Sequence, residues 1–316
     1  MEKQHRVIAL GFFDGVHLGH GALLRRVAEI AKAENARPCA FTFDRSPAAA
    51  LTGQHIPLLT GVEDRRWLME TLYGIRELIV ASFSLMRDMD WRDFVTDYLQ
   101  KELGVVHAVA GHDFRFGRGG EGDPQRLSEL CARLGLGCDI IPRVEVDGRA
   151  VSSTYILTLV AEGRLEDAAR FLGHPHVLSG TVVHGSGLGR TLGTPTANLL
   201  IPEGILAPAF GVYAARVWIP PVSPDDHGRP GPQHLPGEGA YMAVTNVGVR
   251  PTVNRGASGV TVEPWILDYQ GDLYGKTIRL ELHKRLRPER RFDSTDELRA
   301  AILRNAGETR AYFSGT

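Results

Sequence analysis

The feature that most restricts the fold is a change of hydrophobic period partway along the chain. Before it, the apolar runs VIAL (7–10), CAFTF (39–43), ELIVASF (77–83), HAVAG (107–111) and CDIIPRV (138–144) are separated by longer segments, 19–35, 61–73, 91–103 and 124–135, with apolar residues every three or four positions. Strand-length runs interleaved with amphipathic helices predict a parallel sheet with helices on its faces, which takes ligands beyond the carboxyl ends of its strands. One further helical stretch, 152–173, closes this half. From Ser179 the period falls to two in GTVVHG, GVYAARVWI, YMAVTNVG, VTVEPWILD and KTIRLELHKRL, with glycine and proline clusters between them. That texture predicts an antiparallel barrel or sandwich. The proline-rich stretch 220–239 reads as a surface loop outside any site, and Ser294 with Glu297 forms a capping box that opens a C-terminal helix. The 316 residues suffice for two cores, divided as 1–175 and 176–316.

Composition removes several classes of partner. A formal net charge of -1 supplies no global field to hold a polyanion, so nucleic acid is not expected. No run approaches the ~18 apolar residues of a membrane span, and the apolar start of the chain is too short for a secretory core, which makes it a strand. Cys39, Cys131 and Cys138 form neither an even set nor a metal-binding pair, as expected of reduced packing thiols in a cytoplasmic protein. A monomer or weak homo-oligomer acting on small molecules is the expectation.

Two stretches carry chemistry. GFFDGVHLGH (11–20) follows the first apolar run and leads into a helix, where backbone N–H groups and the helix dipole favour an anion. His17 and His20, three apart in the first turn, share a face and suit hydrogen bonding to charge on a phosphoryl group. Spacing alone equally admits capping or metal-binding histidines. In the second half, HGSGLGRTLGTPTANL (184–199) is a glycine-rich arch whose amides can wrap phosphates. Its Thr196 and Asn198 alternate, so in extended backbone both oxygens face one side and suit Mg²⁺; taken alone, such a pair is equally an ordinary turn. Glu263 lies in a strand and is either solvent-facing or a base for a hydroxyl attacking a phosphate.

Taken together, GFFDGVHLGH, TFD (42–44), GHDFRFGRGGEGD (111–123), VSSTYI (151–156) and PTAN (195–198) resemble the bacterial bifunctional riboflavin kinase and FAD synthase (FMN adenylyltransferase) family. The resemblance spans nearly the whole chain. It implies an α/β Rossmann-like nucleotidylyltransferase domain, then a riboflavin kinase β-barrel with a C-terminal helix. Riboflavin would be phosphorylated by Mg-ATP to FMN, and FMN adenylylated to FAD with release of pyrophosphate. The family pattern assigns His17 and His20 to ATP phosphates, Gly11, Phe13 and Asp14 to the surrounding loop, Asp113, Phe114 and Phe116 to the FMN side, and Ser153 and Thr154 to ATP. In the barrel it assigns Gly187, Gly189, Arg190 and Thr196 to the nucleotide, Thr196 and Asn198 to Mg²⁺, Glu263 to the base, and Asn246 and Arg250 to the vicinity. Asp268, Asp272 and Tyr274 would order the rim, and Arg287 or Arg290 would lie near flavin or nucleotide.

Two positions of the first half depart from the pattern, as does Thr194 in the second half, where many members have a bulky apolar residue. Leu157 stands where the family has an arginine, and Ser46 where a histidine commonly precedes Pro47. Leucine donates no hydrogen bond to a triphosphate. This leaves Arg115, Arg118 and Arg164 as candidate substitutes, and two alternatives to the bifunctional reading: a kinase with a faded adenylyltransferase, or a flavin-binding protein without turnover.

Overall fold

The computed structural model describes residues 5–185, 189, 193–219, 240–249 and 259–315. Contacts divide the chain into two compact units, one of residues 1–56 and 65–152 and the other of 57–64 and 153–316. The expected loop at 220–239 lies outside the described residues.

The first unit is a five-stranded parallel sheet of β1 (Arg6–Leu10), β2 (Arg37–Phe43), β3 (Glu77–Ala81), β4 (Val105–Gly111) and β5 (Gly137–Ile141), in the order β3-β2-β1-β4-β5. The chain winds outward from β1 to β3 and then crosses to β4 on the other side of β1. The switch point of this doubly wound sheet therefore lies beside β1. Ile8, Leu10, Cys39, Phe41, Ala108 and Ala110 share one core with Phe94, Leu99, Leu127 and Cys131, while Val7, Ala9 and Val109 are buried as well. Strands covered on both sides read as unbroken apolar runs, which is why these segments were legible as strands. The main helices are α1 (Leu18–Ala33), α2 (Val62–Tyr73) and α3 (Pro124–Leu134). Two expectations change in detail. Strand β3 stops at Ala81 because Asp44 Oδ1 takes the Phe83 amide at 3.0 Å and starts a helical turn there. The helix expected at 91–103 is a short turn, Trp91–Asp93, continued by a π-helix, Phe94–Glu102. A hairpin of β6 (Glu145–Val146) and β7 (Arg149–Ala150) turns through Asp147 and Gly148, both at positive φ (51° and 73°), as a tight two-residue hairpin requires.

The second unit is a closed antiparallel barrel, β10-β11-β12-β9-β8-β13. Its strands are β8 (His176–Val183), β9 (Asn198–Leu200), β10 (Gly211–Trp218), β11 (Tyr241–Val249), β12 (Val260–Ile266) and β13 (Thr277–Pro288). Closure leaves no open edge for another chain to pair with. The helical stretch expected at 152–173 is two helices, α4 (Ser153–Ala161) and α5 (Leu165–Leu172), broken at Gly163. Gly163 has φ 74°, and a Cβ there would lie 3.0–3.1 Å from Arg285, Ala209 and Tyr213, so only glycine lets the chain pass so close to the barrel. The compact units thus part at 152/153, earlier than the 175/176 division expected from the sequence, because α4 and α5 pack with the barrel. Residues 57–64 also pack there: Asp64 accepts hydrogen bonds from Ser179 and, at 3.0 Å, from Arg279. The last helix, α6 (Thr295–Ser314), begins at Ser294, whose side chain accepts the Glu297 amide as the capping box predicts.

His176, at the start of β8, is 1% exposed, and its Nε2 has no hydrogen-bond partner among the described residues. Burial, with His174 nearby, pushes its pKa down to about 4. A histidine held neutral in the fold but free to charge at about 6.5 when unfolded stabilises fully above that pH. That contribution, ~3 kcal/mol at most, is lost progressively as the pH falls from about 6.5 through about 4. Urea unfolding followed at about pH 7.5 and about pH 4.5 should show a smaller difference between the two pH values in His176→Gln than in the parent.

Candidate active sites

The bend Gly11–His17 leaves the carboxyl end of β1 at the switch point, where the alternating pattern places a ligand. Its backbone is strained: Phe13 (φ 59°) and Val16 (φ 43°) both occupy the left-handed region. Such conformations cost about 1–3 kcal/mol each and persist only where the surroundings enforce them. Gly11 makes room for the Phe13 ring, which would lie 3.0 Å from a Cβ at that position. Phe13 is fully buried, Asp14 is 4% exposed and His17 7%.

His17 caps α1 with its imidazole, Nδ1 accepting the His20 amide at 3.2 Å. With Nδ1 used as an acceptor, neutral His17 carries its proton on Nε2 and keeps that N–H as a donor. The His20 ring stacks on that of His17, centroids 3.6 Å apart and planes 10° off parallel, and meets Phe13 edge-on at 5.1 Å. Burial, then the neighbouring His17 and Arg65, push the His20 pKa well below the usual imidazole range. His20 Nδ1 is buried with no hydrogen-bond partner among the described residues. An orphaned imidazole nitrogen at a helix start fits a missing polar ligand, and the N-terminal position favours an anion.

Sequence reasoning missed Arg65. It lies in α2, 1% exposed, and its Nη1 donates to the Phe12 carbonyl at 2.9 Å and to Thr42 Oγ1 at 3.0 Å. Thr42 Oγ1 donates to the same carbonyl at 2.8 Å, and the guanidinium carbon sits 4.5 Å from the centroid of the Phe12 ring. In VEDRRWL the residue reads as one of several surface charges, and only the unusual density of charge before an apolar pattern hinted otherwise.

Phe114 and Phe116 stack at 5.5 Å and line a cavity of about 170 Å³ with Phe43, Phe83 and Phe94. Asp113 is exposed at the turn that precedes them, its Oδ1 3.2 Å from where a Cβ on Gly111 would stand. Ser46 caps the helix Pro47–Thr52 by accepting the Ala49 amide, so it replaces the expected histidine in a structural capacity. Ser153 and Thr154 open α4, and the half-buried Leu157 lies in the same helix. The three arginines considered as substitutes for the missing one are engaged elsewhere. Arg164 pairs with Asp167 and Glu162, Arg118 donates to the Asp88 carbonyl at 3.1 Å, and Arg115 approaches Asp123 at 3.8 Å.

In the barrel, strand register assembles a second site. Arg287 on β13 stands opposite Val212 on β10, Val212 opposite Asn246 on β11, and Asn246 opposite Glu263 on β12. These four residues line one cavity of about 330 Å³, together with Gly189, Thr196, Trp265, Phe292 and Asn305. Pro264 cannot donate, but its carbonyl accepts the Ala197 amide at 2.9 Å and so anchors PTAN beside Glu263. Thr196 also lines a second cavity, of about 290 Å³, with Asp272 and Tyr274. The His184 ring stacks on Tyr274 at 3.9 Å, and Asp272 Oδ1 takes the Tyr274 amide at 3.0 Å. Asp268 instead forms a two-pronged pair with Arg310 of α6, both oxygens at 3.0 Å. Asn198 lies against Gly185, where any Cβ would collide with its amide. Arg287 and Arg290 both approach the Phe292 ring, and Arg287 Nε donates to Asn305 Oδ1 at 3.0 Å. Gly187, Arg190 and Arg250 lie outside the described residues.

Comparison with known proteins follows this division. A family model described as FAD synthetase matches residues 1–155, and one described as riboflavin kinase matches residues 172–313. The bifunctional riboflavin kinase/FMN adenylyltransferase of Listeria monocytogenes is 32% identical over 98% of this chain and 93% of its own length. The Escherichia coli K12 protein of the same name is 35% identical over 98% of this chain and 93% of its own length. A crystal structure described as a macrolide-efflux protein from Streptococcus pneumoniae matches with a TM-score of 0.79 at 29% identity, covering 98% of this chain and 95% of that one. Among the described residues here, no helix is long and apolar enough to cross a membrane.

Proposed function

The chain belongs to the bifunctional riboflavin kinase/FMN adenylyltransferase family, and we propose which of its residues carry each of the two reactions. The enzyme phosphorylates riboflavin with ATP to give FMN and ADP, and joins the AMP moiety of a second ATP to FMN, giving FAD and pyrophosphate. The observation that carries the kinase assignment is that Thr196 lines both barrel cavities while Glu263 lines the larger. A phosphate passed from one cavity to the other crosses at Thr196. The larger cavity, walled by Trp265, Phe292, Leu298 and Ile302, suits a flat flavin ring, and the smaller suits the nucleotide. Glu263 accepts the proton of the primary hydroxyl as its oxygen attacks the γ-phosphate.

Mg²⁺ fits this donor set. Thr196 and Asn198 offer neutral oxygens, and a hard cation that keeps water and phosphate oxygens needs only one or two protein ligands. Bound there with ATP, the ion would neutralise phosphate charge. Gly187, Gly189, Arg190 and Arg250 are retained as nucleotide-site residues on the family motif.

In the first unit, a phosphate oxygen of FMN is the nucleophile, the bond to the α-phosphorus of ATP forms, and pyrophosphate leaves, so no covalent enzyme intermediate is needed. His17 Nε2–H and His20 steady the charge on the reacting phosphates, with Gly11, Phe13 and Asp14 shaping the bend. Ser153 and Thr154 are assigned to ATP phosphates by the S-S-T motif. Phe114 borders the aromatic cavity, which takes the isoalloxazine, and Asp113 is retained on the FMN side on the family motif. We expect the partners to be small molecules, and the protein to be a cytoplasmic monomer or weak homo-oligomer without nucleic-acid or membrane partners.

A time course from riboflavin and Mg-ATP, resolving FMN and FAD by chromatography, should show FMN rising first and FAD following. Glu263→Gln should slow FMN formation by about 100-fold or more while leaving conversion of supplied FMN to FAD intact. A variant with full kinase turnover would remove Glu263 as the base. Leu157→Arg should raise kcat/KM for ATP in FAD formation by about tenfold, the scale of one charge-assisted hydrogen bond. An unchanged value would mean that the missing guanidinium does not limit the step.

A further inference from the structure

The loop that carries His17 and His20 contains two non-glycine residues in left-handed backbone, so something outside the loop must hold it in that shape. The peptide unit entering Phe13 is the one that ends in the Phe12 carbonyl. Turning that peptide changes the φ of Phe13 directly. Three donations meet around this carbonyl and its anchor: Arg65 Nη1 to Phe12 O at 2.9 Å, Arg65 Nη1 to Thr42 Oγ1 at 3.0 Å, and Thr42 Oγ1 to Phe12 O at 2.8 Å. They tie together a helix, the end of β2 and the bend that follows β1. The Phe12 ring caps the guanidinium at 4.5 Å, and Arg65 is 1% exposed, so the anchor is shielded from competing water.

We propose that Arg65 is a positioning residue for adenylyl transfer: by gripping the Phe12 carbonyl it holds Phe13 in left-handed backbone and so sets His17 and His20 toward the nucleotide phosphates. The proposal rests on assigning adenylyl transfer to the bend. Arg65 acts through the bend, since its Nη1 is occupied by Phe12 and Thr42. The planar guanidinium holds the two N–H bonds of Nη1 at fixed angles, one toward each acceptor, which a lysine ammonium on a flexible stem reproduces poorly. The charge has a second effect on the same pair. The groups acting on His20 are His17 in the helix cap and Arg65 from α2, and both favour its neutral form.

The test uses Arg65→Met and Arg65→Lys in the full chain. Conversion of FMN to FAD is measured alongside riboflavin phosphorylation in the same preparation, and the histidine ring resonances are followed by NMR against pH. Arg65→Met should lower kcat for FAD formation by about thirtyfold or more, leave KM for FMN within about threefold, leave kinase turnover unchanged, and raise the titration midpoint of His20. Arg65→Lys should restore the His20 titration more fully than kcat, because it returns the charge without the fixed donor geometry. A kcat within threefold of the parent in Arg65→Met, or a loss matched by equal loss of near-UV circular dichroism in both variants, overturns the proposal. Should the parent form no FAD, the adenylyl assignment falls first. Histidine resonances unmoved in Arg65→Met would then overturn the positioning role on their own.

Discussion

The bend of the first unit is built around a single backbone carbonyl just beyond the first strand. The Phe12 carbonyl takes hydrogen bonds from a buried guanidinium and a buried hydroxyl, and the strained turn after it directs two imidazoles at the helix start. Strain of that kind is tolerated only against a rigid background. The background here is the doubly wound sheet, whose central strands are largely buried on both faces and whose switch point lies beside β1. Helix dipole, unpaired imidazole nitrogen and strand-end position all favour the same guest, an anion.

The barrel solves a comparable problem by register. Hydrogen bonding between strands lines up Arg287, Val212, Asn246 and Glu263 across four adjacent strands, so a carboxylate and a guanidinium line one cavity although they lie far apart in sequence. Proline in the middle of β12 is part of this arrangement. With no amide of its own, Pro264 offers only a carbonyl, and the PTAN segment docks on it through Ala197. Thr196 is thereby held where the two barrel cavities meet. Both reactions need little covalent chemistry from the protein, since phosphoryl and adenylyl transfer depend chiefly on positioning and electrostatics.

Legibility from sequence followed the range of the interactions. The strands of the sheet and the barrel were readable because burial on two faces or one writes itself as a period in neighbouring residues. His17 and His20 were readable because three positions of helix bring them together, and PTAN and Glu263 because short motifs carried them. The break at Gly163 was not, since it answers to Arg285, Ala209 and Tyr213 on the barrel. Arg65 was hidden for the same reason: its neighbours in sequence are charged, and its partners lie 53 and 23 positions away.

The sequence by itself determined the two classes of layered structure, the places where glycine-rich bends interrupt them, and the residue types able to do chemistry there. Local periodicity and short motifs suffice for that, because they depend on neighbours a few residues apart. Only the tertiary structure decided where the compact units part, which arginine is buried under the histidine bend, and which side chains share the two barrel cavities. Those outcomes depend on contacts between distant segments, and the free energy of burying a charge or closing a barrel is settled by what arrives on the other side.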